Sequence, residues 1–381
     1  MDEHPVFRSH NVYILGAGFS RDAGLPLILD FLDQMRDGVD WIAEQGTPEE
    51  QKAMQEVFKF RHWAAGSAQR VKIDLENIEE LFSLASASER DSGNDYVPRA
   101  IAATLRYARS KTPRSYRATL ASGELSAPPN WQCENSSAIQ ETYRMSVYDF
   151  YAGIISGKFC KPVRGMRNTV ISFNYDTLLE DSLAALGMPF SYELPLSGAT
   201  YHPLALEIER ALIDPEAIRV LKLHGSVNWG INRVSETEST LSVYLTYKEL
   251  LEDGKHPYLL PPTWRKVFAG ALAQVLIRAL DAIRDASRII IIGSSLAPTD
   301  LYFKYLLAGG LRDNISLRDI FFVTQGDYSS LEQNVLELFQ PSFAKRVHWY
   351  AQGVQQAMID GMFLQKIDRS KSSIFRSLDA Y

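Results

Sequence analysis

Apolar residues follow two rhythms along this chain. Short, nearly continuous runs rich in β-branched residues end in Gly, Asn, Asp or Ser: NVYILGAG (11–18), TVISFNYD (169–176), VLKLHGS (220–226), SRIIIIGSS (287–295) and DIFFVTQG (319–326), with VHWYAQ (347–352) as a sixth candidate. Such runs read as strands of a parallel sheet, since helices cover both faces and neither face can then be polar. Between the first two runs the rhythm changes. LILDFLDQM, EEQKAMQEVFKF and DLENIEELFSLA repeat apolar residues every three or four positions, and Leu75, Ile78, Leu81 and Phe82 of the last form one stripe. The pattern predicts an α/β domain over 1–30 and 165–381, interrupted at 31–164 by a mostly helical insertion. SGELSAPPNWQCENSS (122–137) reads as a polar loop, and INRVSETESTLSVYLTYKEL (231–250) alternates like a β-hairpin.

Composition narrows the class without naming a function. The 381 residues are 46% hydrophobic and 23% charged, as in an ordinary soluble globular protein. A net charge of -6 argues against a general nucleic-acid coat. Cys133 and Cys160 are too few for a disulfide framework or a four-thiolate zinc site. MDEHPVFRSH lacks the apolar stretch of a signal peptide, and no apolar run approaches the ~20 residues of a spanning helix. The expectation is a cytoplasmic protein with no membrane segment and no metal.

In an open α/β sheet the ligand crevice lies beyond the carboxyl ends of the strands, where these polar run-ends fall. In GAGFSRDAGLP, Gly16 and Gly18 would clear Cβ atoms from the path of a diphosphate. Ser20 would cap a following helix whose free amides attract anions, and Gly24 would let that helix pack closely. The spacing is neither the dinucleotide fingerprint, since residue 21 is Arg, nor a Walker loop. Asn174 and Asp176 end the second run with Tyr175 pointing the other way, and taken alone they are better explained as caps of the helix at TLLEDSLAAL than as site residues. His224 precedes a Gly-Ser turn, and Gly293, Ser294 and Ser295 end another buried run where they could bind a ribose or phosphate.

Taken in order, GAGFSRDAGLP, FNYD, LHGS and GSSL resemble the motif series of the sirtuin superfamily. The resemblance implies a Rossmann-like core that binds NAD+ as substrate. Gly16, Ala17, Gly18 and Ser20 would lie along the diphosphate and Ser294 and Ser295 toward the adenosine, with Gly24, Pro26 and Gly293 also in the cofactor site. Asn174 and Asp176 would sit near the nicotinamide and its ribose, with His224 as base. Histidine titrates near neutrality and is suited to that task.

The departures point to one branch. The two C-x-x-C pairs of the deacylating zinc module have no counterpart, and the chain continues LILDF where sirtuins read Asp-Phe-Arg. The chain is thus similar to bacterial sirtuin-like NAD+ hydrolases of anti-phage defence, of the type that works with a HerA-type ATPase. That likeness implies an oligomeric NAD+ glycohydrolase acting with such a partner. An NAD-dependent protein deacylase and a non-catalytic NAD or ADP-ribose sensor are the rival readings. RYARSKTPRSYR places Arg106, Arg109, Lys111, Arg114 and Arg117 among tyrosines, and a solvated helix end or an acidic protein partner explains it better than nucleic acid. Trp41, Trp63 and Trp131 fit an interface or a core, while His202 and His256 read as loop residues.

Overall fold

The computed structural model describes residues 9–88, 96–111, 147–159, 166–233, 239–263, 270–294, 301–325, 329–340, 343, 345–354 and 357. The strands in chain order are β1 (His10–Leu15), β2 (Arg167–Ser172), β3 (Phe190–Ser191), β4 (Ala199–Tyr201), β5 (Ile218–Lys222), β6 (Gly225–Arg233), β7 (Ser239–Val243), β8 (Pro257–Leu259), β9 (Arg288–Ile292), β10 (Asp319–Val323) and β11 (Val347–Tyr350). Seven form one sheet in the order β11-β10-β9-β1-β2-β5-β3, and every pair in it is parallel. The fold is α/β, a parallel sheet flanked by helices. All six apolar runs supply a strand to this sheet. Each of these sheet strands stops short of the polar end of its run.

Topology then places the loops. β1 pairs with β2 on one side and β9 on the other, with Leu15 opposite both Ser172 and Ile292. Strands after β2 build outward in one direction and strands after β9 in the other. The turn following β1 therefore stands where the winding reverses, which is the ligand crevice of such sheets. The sheet is dry: Val12, Tyr13, Ile14 and Ile289 to Ile292 are all buried.

Between β1 and β2 the described residues form a short 3-10 turn (Ala17–Ala23) and five helices: α1 (Phe31–Gln45), α2 (Pro48–Ala68), α3 (Ile78–Ser88), α4 (Tyr96–Ser110) and α5 (Val147–Ile155). Thr47 and Glu50 close a capping box on α2 behind Pro48 at its first turn. α4 is buried nearly all round, from Ala100 to Ala108, because α1 and α2 pack on it. One continuous apolar cluster runs from Ile14 of the sheet through Ile101 of α4 to Phe150 of α5. The segment 122–137, Trp131, Arg114, Arg117 and both cysteines lie outside the described residues.

Two local expectations change. The hairpin is β6–β7, paired from Trp229↔Val243 to Arg233↔Ser239, so it ends at Val243. Tyr247–Glu252 is instead a helix, started by a Thr246–Glu249 capping box. With β4 and β8 the hairpin makes a second, four-stranded sheet in the order β4-β7-β6-β8. The run 220–226 also splits into β5 and β6 with His224 in the turn between them. Gly225 adopts φ +80°, and a Cβ there would lie 2.1 Å from the Tyr258 carbonyl oxygen.

The basic run on α4 is consumed internally. Arg106 pairs with the buried carboxylate of Glu50 at 2.6 Å and sits over the Trp41 ring, while Arg109 pairs with Asp181 at 2.8 Å. Lys111 lies over Tyr107. Trp63 is exposed, and His202 stacks on Tyr244. Among the described residues no helix is long and apolar enough to cross a membrane.

Candidate functional site

The glycine turn is shaped by β9. The Gly16 amide donates to the Ile292 carbonyl at 2.9 Å, and the Gly18 amide to the Gly293 carbonyl at 2.8 Å. A Cβ on Gly16 would stand 2.6 Å from the Gly293 carbonyl oxygen, and one on Gly18 2.8 Å from the Gly293 Cα. Gly293 itself has φ +67°, and its Cβ would come within 2.2 Å of the Phe19 nitrogen. The three glycines are thus required by backbone-to-backbone contact between two strand-end loops. The contact is a demand on Gly16 and Gly18 beyond the clearance for a diphosphate expected from the sequence. For Gly24 the expectation is corrected: it ends the 3-10 turn at φ +77° with open space around it, and packs on nothing. Ala17 is exposed at the tip of the turn, and Pro26 is buried behind it.

Ser20 does not cap a helix. It is buried within the 3-10 turn, where its hydroxyl donates to Asp176 Oδ2 at 2.8 Å and accepts from Asn174 Nδ2 at 3.1 Å. The second Nδ2 hydrogen of Asn174 goes to the Gly16 carbonyl at 2.9 Å. A carbonyl can only accept, so the amide orientation is fixed, with Oδ1 outside both of these bonds. The relay joins the first and second strand ends through Gly16, Asn174, Ser20 and Asp176. Capping divides unequally between the two polar residues: Asp176 Oδ1 accepts from the Leu178 amide at 3.0 Å and starts α6 (Leu178–Ala185), whereas Asn174 faces the glycine turn.

His224 stands on the other flank of this loop. Its ring meets Phe173 edge-on at a centroid distance of 5.1 Å and Tyr175 at 6.0 Å. Tyr175 is anchored by its hydroxyl on the Leu260 carbonyl at 2.6 Å, and burial raises the pKa of that phenol. Alternation along Phe173–Asp176 therefore sends Asn174 and Asp176 toward the glycine turn and the two aromatics toward His224. Gly293 and Ser294 close the β9 side, while Ser295 lies outside the described residues. Among the described residues no three His, Cys, Asp or Glu side chains gather as a metal site.

Two features beneath the site escaped the motif reading. Lys222, the last residue of β5, is fully buried and pairs with Glu180 of α6 at 2.9 Å. Burial raises the pKa of Glu180, and Lys222 opposes that shift; for Asp181 burial also raises it, opposed by Arg109. A charged residue inside the apolar run VLKLHGS was the available signal. The other feature is Tyr148 of α5, whose hydroxyl donates to the Phe19 carbonyl at 2.7 Å and accepts from the Ala23 amide at 3.2 Å. The insertion thereby grips the 3-10 turn, and nothing in its sequence pairs it with that turn.

Residues 168–340 match the family model of the SIR2-like domain. The matched segment carries Asn174, Asp176, His224 and Gly293 to Ser295, and the glycine turn precedes it. No curated protein matches the chain. Among solved structures the chain is similar to a Sir2 in complex with an inhibitor, 2'-O-acetyl-ADP-ribose and a deacetylated p53 peptide, at 13% identity over 93% of each chain, with a TM-score of 0.36. Sir2Tm bound to a propionylated peptide matches at 14% identity over 93% of this chain and 92% of that one, with a TM-score of 0.36. A Sir2 variant solved with a p53 peptide and NAD gives 14%, 93% of each chain and 0.35.

Proposed function

We propose that the chain is an NAD+ glycohydrolase, cleaving the nicotinamide–ribose bond to give nicotinamide and ADP-ribose. The observation that carries this reading is the Gly16–Asn174–Ser20–Asp176 relay at the reversal point of the sheet, with His224 on the opposite flank of the same loop. The SIR2-like match over 168–340 supports it. The Gly16 and Gly18 amides are already bonded, so the Ala17 amide, first in the 3-10 turn and without a backbone carbonyl partner among the described residues, is the donor left for a diphosphate.

In this scheme the C1'–N bond of NAD+ breaks, and its electron pair leaves with the nicotinamide ring. The ribose becomes oxocarbenium-like, and the Asp176 carboxylate and the Asn174 amide oxygen stabilise that charge or orient its partner. Water forms the new C1'–O bond, and its proton passes to His224, a role typically worth about 10²- to 10⁴-fold. Two cysteines cannot build the four-thiolate module of a deacylating sirtuin, so water is favoured over acyl-lysine as acceptor. The sirtuin-like resemblance extends the proposal to NAD+ depletion in anti-phage defence, by a homo-oligomer working with a HerA-type ATPase.

The test is nicotinamide release from NAD+ by the purified full chain, alone and with the ATPase. His224→Ala and Asn174→Ala should each lower turnover by at least about 10²-fold. Turnover that survives both substitutions unchanged would sink the assignment. Release that requires an acyl-lysine peptide would move it to the deacylases, and intact NAD+ after long incubation of the complex would leave only a sensor.

A further inference from the structure

β5 ends in a lysine that faces no water. The Lys222 and Glu180 side chains are 1% and 6% exposed, and their ion pair is 2.9 Å long. Burying two charges is costly, and an apolar pair of similar volume often serves a core as well or better. The pair is better explained by what its ammonium holds.

Lys222 Nζ also donates to the main-chain carbonyl of Asp176. That is one of three restraints on this residue. Leu178 holds Oδ1 at 3.0 Å and Ser20 holds Oδ2 at 2.8 Å. The restraints come from three elements: β5, the first turn of α6, and the 3-10 turn after β1. The neighbouring Tyr175 carbonyl already accepts from the Val227 amide at 3.0 Å, and the Lys222 bond extends that hold on the main chain by one residue, to the peptide that carries the Asp176 side chain. Register adds to this, because Lys222 lies opposite Ser172, whose hydroxyl accepts from the Asn174 amide at 3.1 Å. The lysine thus props the 172–178 loop from below while the relay shapes it from above.

We infer that Lys222, steadied by Glu180, is a positioning residue that fixes the backbone of the Asp176 turn and so aims the Asn174–Ser20–Asp176 relay. Its catalytic consequence rests on the NAD+-cleaving reading, whereas its effect on the turn does not. Glu180 supplies the counter-charge to the buried ammonium and does not itself touch the Asp176 carbonyl. Position and stability therefore separate in the right set of variants.

The experiment compares wild type, Glu180→Gln and the double variant Lys222→Met/Glu180→Leu. Melting temperature, kcat and KM for nicotinamide release, and hydrogen exchange at the Leu178 amide are measured on each. Glu180→Gln should melt lower, because the ammonium loses its counter-charge, yet keep most of its kcat and a protected Leu178 amide. The double variant should regain its melting temperature as a packed apolar pair. It should still lose kcat by on the order of 10²-fold, as a small misplacement of catalytic groups does, with Leu178 exchanging faster. A purely structural lysine gives the reverse order, with kcat following melting temperature and a fully active double variant, and that result overturns the inference. If wild type releases no nicotinamide, the NAD+-cleaving reading falls. The Leu178 amide then decides alone: faster exchange in the double variant upholds the positioning role, and unchanged exchange overturns it.

Discussion

His10 provides a stability test remote from the site. It opens β1 at the amino end of the sheet, is buried, and has its Nε2 2.9 Å from Thr169 Oγ1. Burial, with help from the Arg167 and Arg219 charges and against the pull of Asp285, lowers its pKa from 6.5 to about 4. The sign follows directly. Above pH 6.5 the imidazole is neutral both folded and unfolded, and folding carries no penalty from it. As pH falls from 6.5 toward 4 the unfolded chain takes up a proton that the folded chain refuses, so stability is lost across that window. A gap of 6.5 minus 4, at 1.36 kcal/mol for each pH unit, amounts to about 3 kcal/mol at its full extent. Urea unfolding of wild type and His10→Gln from pH 7.5 to 4 measures it, since Gln can still bond Thr169 but cannot charge. The difference between the two curves should move by about 3 kcal/mol in favour of the variant as pH falls. Parallel curves would refute the reasoning, because the carboxylates that titrate in this range are common to both proteins.

Two further outcomes concern the loops. Gly293→Ala and Gly24→Ala both place a Cβ on a left-handed backbone, at φ +67° and +77°, a conformation that costs an L-residue about 1–2 kcal/mol. Only Gly293→Ala also drives that Cβ to 2.2 Å from the Phe19 nitrogen, so it should melt well below Gly24→Ala and, on the proposed function, bind NAD+ more weakly; equal melting would show that the two loops do not depend on this contact. Tyr148→Phe removes two hydrogen bonds, to the Phe19 carbonyl and from the Ala23 amide, and should cost about 1–3 kcal/mol in urea unfolding with faster exchange in residues 17–23. No change in either measurement would remove the link between α5 and the 3-10 turn.

Much of this architecture was legible in the chain because periodicity is a local property. A strand buried on both faces must be apolar at consecutive positions, and SRIIIIGSS and NVYILGAG announce themselves for that reason. The helical rhythm of EEQKAMQEVFKF, and the capping pairs Thr47–Glu50 and Thr246–Glu249, are likewise set within a few residues. The two-residue β3 and the three-residue β4 and β8 were not legible, since segments so short hold no period and exist only through their neighbours.

Site residues followed the same division. That Gly16, Asn174, His224 and Gly293 end apolar runs is a statement about sequence; that β9 and β2 flank β1, and so bring these ends together, is one about topology. Only the tertiary structure decided what each residue does there. Ser20 turned from a helix cap into the link between Asn174 and Asp176, and Gly16, Gly18 and Gly293 proved to hold two loops in backbone contact. Lys222 interrupts an apolar run, and its counter-charge comes from a glutamate 42 positions earlier in the chain. Sequence alone determined the elements and their polar ends, because backbone preference and burial act over a few residues. Hydrogen-bond partners lay as many as 277 positions apart, and only the folded sheet could choose them.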